Sequence, residues 1–395
     1  MFKAATTKSR VCVTATVAAL WLTACGGGGG GDDVAAAPSP APAPVGAPAP
    51  APVPAPPAQP LAWTATSLAA NTWHWVTMNP SGTVQLATSI PGNVFVSRDS
   101  GATFVDSTLP VDNWISADMS LDGTTMVAVG FGGGMYRSTD SGASWTKIDG
   151  LVNPPQVGDA GGNLAYESVT MSQNGQRIVA VTMVDTGVGA NPANGLVYVS
   201  QDGGATFTTA GGSAAAAAAW RAVDSSADGL VVVAAAQDGN VHLSTNGGLT
   251  FAALPVNIGA GAIADGWYRV AVSEDGNTIA VAGNTDFAGT STGLYTSRDR
   301  GATWVQGNAT SGAYTSIDMT ADGGIMVATM SGAGTVLLST NGGTSFAPLA
   351  TLPPVETNWR AVSISGDAAR LLLAAGTFFG ATGQLYTSSG SVTAP

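Results

Sequence analysis

The pattern S-x-[DN]-x-G-x-[TS]-[WF] constrains this chain more than any other feature, because it occurs six times. With Asp at its third position it runs from Ser97 to Phe104, Ser138 to Trp145, Ser200 to Phe207 and Ser297 to Trp304. With Asn there it runs from Ser244 to Phe251 and Ser339 to Phe346. Successive copies begin 41, 62, 44, 53 and 42 residues apart, which marks one supersecondary unit used repeatedly. The side chains of Asp99, Asp140, Asp202, Asn246, Asp299 and Asn341 are suited to accept from backbone N–H groups two or three residues on and so to close a turn. The Gly supplies a backbone conformation that a Cβ resists, and the final aromatic starts a strand and buries its ring. A catalytic acid is needed once. Six equivalent positions therefore point to fold chemistry.

A second block alternates with this box. It is an aromatic residue, an apolar residue three on, often another five on, and a Gly nine on. Trp73, Trp114, Tyr166, Trp220, Trp267, Tyr314 and Trp359 begin its seven copies, the last without the Gly. Apolar runs such as Thr125 to Val129 follow each copy, and a Gly-led strand such as Gly92 to Ser97 then enters the box. Each unit thus reads as four short strands, a to d, with a at the aromatic, c entering the box and d leaving it. Residues 61–395 give seven units of about 48 residues, the size of a propeller blade. The seventh unit ends at Leu385-Tyr386-Thr387-Ser388, without a strand d, while Ala62-Trp63-Thr64 is a strand d without a unit. The expected fold is all-β: a seven-bladed β-propeller of four-stranded blades, its ring closed by the N-terminal strand completing the last blade.

Residues 1–24 carry Lys3, Lys8 and Arg10 ahead of a short apolar run, Val11 to Leu22, in the manner of a signal peptide. Residues 25–60 hold Cys25, six glycines and a Pro/Ala tract that favours extended polyproline II and stays disordered. Without the three leader cations the chain has ten basic residues against 25 acidic ones. Such a balance excludes the electrostatic footprint of a nucleic-acid binder. Cys12 and Cys25 are the only cysteines, so the repeat region has neither disulfide nor thiolate metal site.

Two resemblances follow from these residues. Leu22-Thr23-Ala24-Cys25 resembles the lipobox of bacterial lipoproteins, which implies cleavage before Cys25, acylation of Cys25 and, with Gly26 next, an outer-membrane address. Residues 61–395 resemble the Asp-box (BNR) propellers found in sialidases, sortilin-type receptors, xyloglucan-active glycosidases and photosystem II assembly factor-like proteins. Seven blades in a short chain look most like the assembly factor-like group. Sialidases have six blades, an arginine triad and a Tyr–Glu nucleophile pair, and Ile90-Pro91-Gly92 stands where their Arg-Ile-Pro motif would begin. The resemblance implies a non-enzymatic propeller, anchored to the membrane through lipid alone, that acts as a binding or assembly scaffold for a protein or glycan partner at the cell envelope. An exo-acting glycan hydrolase of sialidase-like type is the alternative.

Strand alternation puts the a–b turns and boxes on one face of the ring and the b–c and d–a loops on the other. Longer loops are expected at 146–165, 183–194, 208–219, 252–266 and 282–292, and such loops on a rigid scaffold carry function. At the start of the inner strands stand His74, Glu167, Arg221, Tyr268 and Arg360, with Arg269 one further on. Blade order puts Glu167 beside Arg221 and His74 beside Arg360, as local ion pairs and hydrogen bonds. As ligand-binding candidates, His74, Glu167, Arg221, Arg269 and Arg360 form a rim suited to carboxylates, since arginine presents a planar fork. Asp118, Asp224 and Asp318 recur four residues after the aromatic, as structural acids near the channel. Asp185, Asn191, Asn194, Asn284 and Asp286 are oxygen donors in Gly-rich loops, without the spacing of a calcium loop. His74 and His242 form no zinc motif, Met78, Met119, Met171 and Met319 are core filler, and Arg98 and Arg298 are solvated. A monomer with no cofactor and no metal is expected, its tether leaving residue 61 on the box face.

Overall fold

The computed structural model describes residues 61–392 except 133, 149–150, 152–164, 184–194, 212–217, 237–240, 257–265, 285–292, 309–311, 333, 354–355, 357 and 378–380. The signal segment, Cys25 and the linker lie outside the described residues. The described strands form seven four-stranded antiparallel sheets. Blade 1 shows the plan: strand a is Trp73–Met78, b Gln85–Ser89, c Val94–Ser97 and d Val105–Asp106. The other inner strands are Trp114–Met119, Tyr166–Met171, Trp220–Ser225, Trp267–Val272, Tyr314–Met319 and Trp359–Ile364. Each inner strand touches the next in chain order, and the seventh touches the first. The chain is a seven-bladed β-propeller.

Blade 7 is completed as expected. Ala62–Ala65 lies antiparallel on Thr382–Ser389, pairing Ala62 with Ser389 and Ala65 with Tyr386. Leu61 therefore sits at the box-face end of that strand. Trp63 fastens the seam by donating its indole N–H to Thr351 O at 2.8 Å.

Seven apolar clusters make up the core, one in each gap between blades. Between blades 1 and 2, Leu86, Val94 and Val96 meet Trp114, Met119 and Met126. Between blades 7 and 1, Leu372 and Leu385 meet Trp73, Val76 and Phe104. Every blade is thus packed on both faces, which is why strand b is a continuous apolar run instead of an alternating one. Met126–Gly130, Ile178–Thr182 and Val232–Ala236 are buried at every residue. The aromatic that opens strand a meets a second ring, two residues before the box Ser. Trp73 meets Phe95, Trp114 meets Tyr136 and Trp267 meets Tyr295 edge to face with centroids 5.5 Å apart. His242 takes this place against Trp220, at 4.9 Å. It serves as a core aromatic.

The box acids close their turns one step further along than the expected two or three residues. Asp99 accepts from the backbone N–H of Thr103 at 2.8 Å and from its hydroxyl at 2.6 Å, while Ser97 donates to Asp99 at 2.8 Å. Two consecutive residues with positive φ, Ser100 (63°) and Gly101 (86°), carry the chain around this wider loop. In the Asn boxes the amide replaces the second acceptor: Asn246 Nδ2 donates to Thr250 Oγ1 at 2.8 Å.

A second recurrent turn, between strands a and b, joins the blades. The Gly nine after the aromatic ends it, as the sequence indicates, and the structure adds the Ser and Asp before that Gly, as in Ser120-Leu121-Asp122-Gly123. Inside the turn, Ser120 donates to Asp122, which accepts from Thr124 N–H. The residue between Ser and Asp links the blades: Leu121 N–H donates to Gln173 O, Gln173 to Ala227, Ala227 to Glu274, Glu274 to Ala321, Ala321 to Gly366 and Gly366 to Pro80. These six bonds span 2.8–3.2 Å and encircle the channel. Pro80 has no N–H to continue the circle. Asn79 Nδ2 replaces it, donating to Leu121 O at 3.1 Å.

Two predictions follow from these turns. Ala368 holds φ at 59° where the other blades place glycine, as at Gly123 (67°). Left-handed backbone costs a residue with a Cβ about 1–2 kcal/mol, so Ala368→Gly is expected to stabilise the fold by about 1 kcal/mol in urea denaturation. Hydrogen bonds from the Ser144 and Thr206 hydroxyls hold Asp140 and Asp202 at about 2, below the ordinary carboxyl range. Groups depressed in the folded state stabilise it above their ordinary pKa and lose that contribution as pH falls through the depressed one. The melting temperature should therefore drop between pH 4 and pH 2. Replacing Asp99, Asp140, Asp202 and Asp299 together by Asn, as in the two natural Asn boxes, should flatten that drop; an unchanged slope would contradict the assignment.

Candidate functional site

The channel is lined by the seven inner strands, and each of them contains a bulge. Pairing with strand b jumps between Trp73 and Trp75, and likewise between Trp114 and Ser116, Tyr166 and Ser168, and Trp359 and Ala361. The skipped residue, directly after the aromatic, is the extra one, and a bulge re-aims a side chain in this way. The skipped residues include His74, Glu167, Arg221, Tyr268 and Arg360. Beyond the bulge, positions three and five after the aromatic enter the core, leaving positions two and four for the channel. Its wall is thus three tiers of side chains.

The upper tier, toward the loop face, contains the predicted pairs. Arg221 Nη1 lies 3.6 Å from Glu167 Oε1, and Arg360 Nη2 lies 2.6 Å from His74 Nε2. His74 Nδ1 is 2.7 Å from Ile115 O, which can only accept. The proton is therefore on Nδ1, and Nε2 accepts from Arg360. Burial, reinforced by Arg360 and Arg269, holds His74 well below its ordinary pKa, in keeping with this neutral tautomer. Burial raises Glu167, with Arg221 opposing it. His74 is 4% exposed, Arg221 8% and Arg360 1%. Four of the five predicted residues, His74, Glu167, Arg221 and Arg360, share this largely buried tier on the loop-face side, while Arg269 stands one level below.

The middle tier closes the channel. Position two after the aromatic is small in five blades, as at Ser116, Ser168 and Ala222, and large in two, at Trp75 and Arg269. The Arg269 guanidinium carbon lies 5.4 Å from the centroid of the Trp75 ring and 4.0 Å from that of Tyr268. Blades 1 and 5 are not neighbours, so the contact spans the channel. Arg269 also donates from Nε to Thr315 O at 2.8 Å, and burial lowers its pKa. Sequence reasoning did not find Trp75. The signal was available, since a Trp and an Arg stand where the other blades carry Ser or Ala.

Below this plug lie Asp118, Asp224 and Asp318, each accepting from two backbone N–H groups. Asp118 accepts from Met119 N–H at 2.8 Å with one oxygen and from Met171 N–H, in the next blade, at 2.7 Å with the other. Asp224 does the same with Ser225 and Val272, and Asp318 with Met319 and Ile364. Each carboxylate staples two blades.

Other candidates are absorbed by the fold. Asn284 donates to Tyr314 O at 2.9 Å, while Asp185, Asn191, Asn194 and Asp286 lie outside the described residues. Arg98 and Arg298 are exposed on the box face, and Arg98 reaches Ser141 O in the next blade. Met78, Met119, Met171 and Met319 are buried. Tyr386 donates to Glu356 at 3.2 Å, and burial and that carboxylate raise its phenol pKa.

No protein-family model matches this chain, and no curated protein matches it. Its fold is similar to that of solved propellers. A structure described as YCF48 bound to D1 peptide superposes with a TM-score of 0.56 at 16% identity, covering 87% of this chain and 100% of that one. The β-propeller domain of Myceliophteria thermophila Cps50 (Swd1) gives 0.59 at 11% identity, covering 84% and 100%. At these identities the likeness is one of fold.

Removing one partner of a buried ion pair leaves the other charge stranded, at a cost of about 3–5 kcal/mol. Glu167→Gln is accordingly expected to lose about 3 kcal/mol in urea denaturation, whereas Arg98→Gln, an exposed arginine on the box face, should fall within about 0.5 kcal/mol of the parent. Equal effects would show that the Glu167–Arg221 pair has no special weight.

Proposed function

We propose that this protein is a non-enzymatic propeller, tethered to the bacterial outer membrane through a lipidated Cys25, that holds a protein or glycan partner on its loop face. The observation that carries this reading is the position of Leu61. Leu61 lies at the box-face end of blade 7, opposite the b–c and d–a loops on which this reading places the partner. The basic upper tier, with Arg221 and Arg360, lies on the loop-face side of the channel and favours a carboxylate or other anionic group on the partner. The fold is compatible with such a role, since the similar YCF48 structure holds a peptide.

Exo-acting glycan hydrolysis is the second reading, favoured by the carboxylate–guanidinium pair Glu167–Arg221 and the Tyr386–Glu356 contact. Turnover of an aryl sialoside that disappears in Arg360→Ala would establish it in place of the scaffold.

The scaffold reading is tested in intact cells with a photo-crosslinking residue placed either at Val111, 71% exposed beside the b–c loop of blade 1, or at Leu121, 50% exposed in an a–b turn. Partner adducts are expected from position 111 and not from 121, and the reverse pattern would refute the orientation. Cys25→Ser should abolish incorporation of labelled fatty acid and release the protein from the membrane fraction.

A further inference from the structure

We propose that Asp118, Asp224 and Asp318 form a proton-sensitive clasp at the box-face end of the channel: three carboxylates around one lumen, each holding an amide of the following blade. The residue four after the strand-a aromatic alternates around the ring. It is Thr77, Asp118, Thr170, Asp224, Ala271 and Asp318 in blades 1 to 6, and Ser363 in blade 7. The acids thus bridge blades 2 to 3, 4 to 5 and 6 to 7, through Met171, Val272 and Ile364 N–H at 2.7–2.9 Å. All three border a cavity of about 80 Å³ roofed by Trp75, and an adjoining one of about 160 Å³ at the box-face mouth. Glu274 is the other ionisable group lining these cavities, and neither is lined by Lys, Arg or His. Arg269 packs against the Trp75 ring and lines neither cavity.

Two demands conflict at this site. Each carboxylate takes N–H donors on both oxygens, which favours the ionised form. Burial favours the neutral form and prevails, with neighbouring acids adding to it at Asp118 and Asp224: Asp118 is raised to about 7 and Asp318 to about 6, both by burial first, and Asp224 well above the carboxylate range by burial and then by Asp118. A protonated carboxyl offers a poor acceptor to one of its two amides, so uptake of a proton alters the bond between blades as well as the charge in the lumen. The sign follows from linkage. A carboxyl raised in the folded state contributes stability that is complete below its ordinary pKa near 4 and is lost as pH rises through the raised value. The folded ring is therefore more stable at pH 5 than at pH 8, although each protonated acid holds one of its two amides less firmly.

The test is a pH titration of the backbone amides of the full chain by NMR, from pH 4.5 to 8.5. The Met171 and Ile364 resonances are expected to shift with midpoints near 7 and 6. Asp118→Thr, which installs the residue that blades 1 and 3 carry at this level, is expected to lower the Val272 midpoint by removing the charge that opposes ionisation of Asp224. It should also reduce the fall in melting temperature between pH 5 and pH 8. Should Asp118→Thr not fold, Asp318→Thr gives the same two readouts. Amide resonances that stay flat across this range, or a Val272 midpoint unmoved by either variant, would overturn the proposal.

Discussion

The structure depends on closure. A blade packed on only one side would expose half of its apolar strands, and each of the seven core clusters needs a blade on either side of it. The pairing of Ala62–Ala65 with Thr382–Ser389 removes the two ends that a linear array would have. The circle of amide-to-carbonyl bonds through the a–b turns does the same for the backbone around the channel. Pro80, the one residue unable to donate, has the Asn79 side chain next to it to span the gap.

Closure also governs where charge goes. The repeat units are built from Gly, Ala, Val, Ser and Thr, and only a tenth of the chain is charged. Several of these few charges line the channel, where seven inner strands converge and polar partners are within reach. The bulge after each strand-a aromatic turns one extra side chain inward, which makes a guanidinium-rich tier possible beneath the loops. Arg269 over Trp75 then separates that tier from the acids below. The channel is consequently divided, with guanidinium groups on the loop-face side of Trp75 and carboxyl groups around the cavities on the box-face side.

Parts of this were plain in the residues. The box motif located every c–d turn, and the orphan Ala62-Trp63-Thr64 identified its own partner strand. The pairs Glu167–Arg221 and His74–Arg360 followed from blade order, since residues one after the aromatic must be neighbours in a ring. The reach of Asp99 to Thr103 did not, because it depends on two successive left-handed residues, and Ser100 gives no sign in sequence of adopting that conformation. Nor did the role of His242 as a core ring: a lone histidine looks the same in sequence whether it packs on Trp220 or binds a ligand.

By itself the sequence determined the unit, its number and the way the ends join, because turns and strand periods are local properties written within a few residues. The tertiary structure alone decided what lies across the channel and between blades. Trp75 meets Arg269 from 194 positions away, and Asp118 finds its second amide in Met171, 53 residues on. Such contacts are set by the angle at which seven sheets close on one axis, and no local pattern of residues encodes that angle.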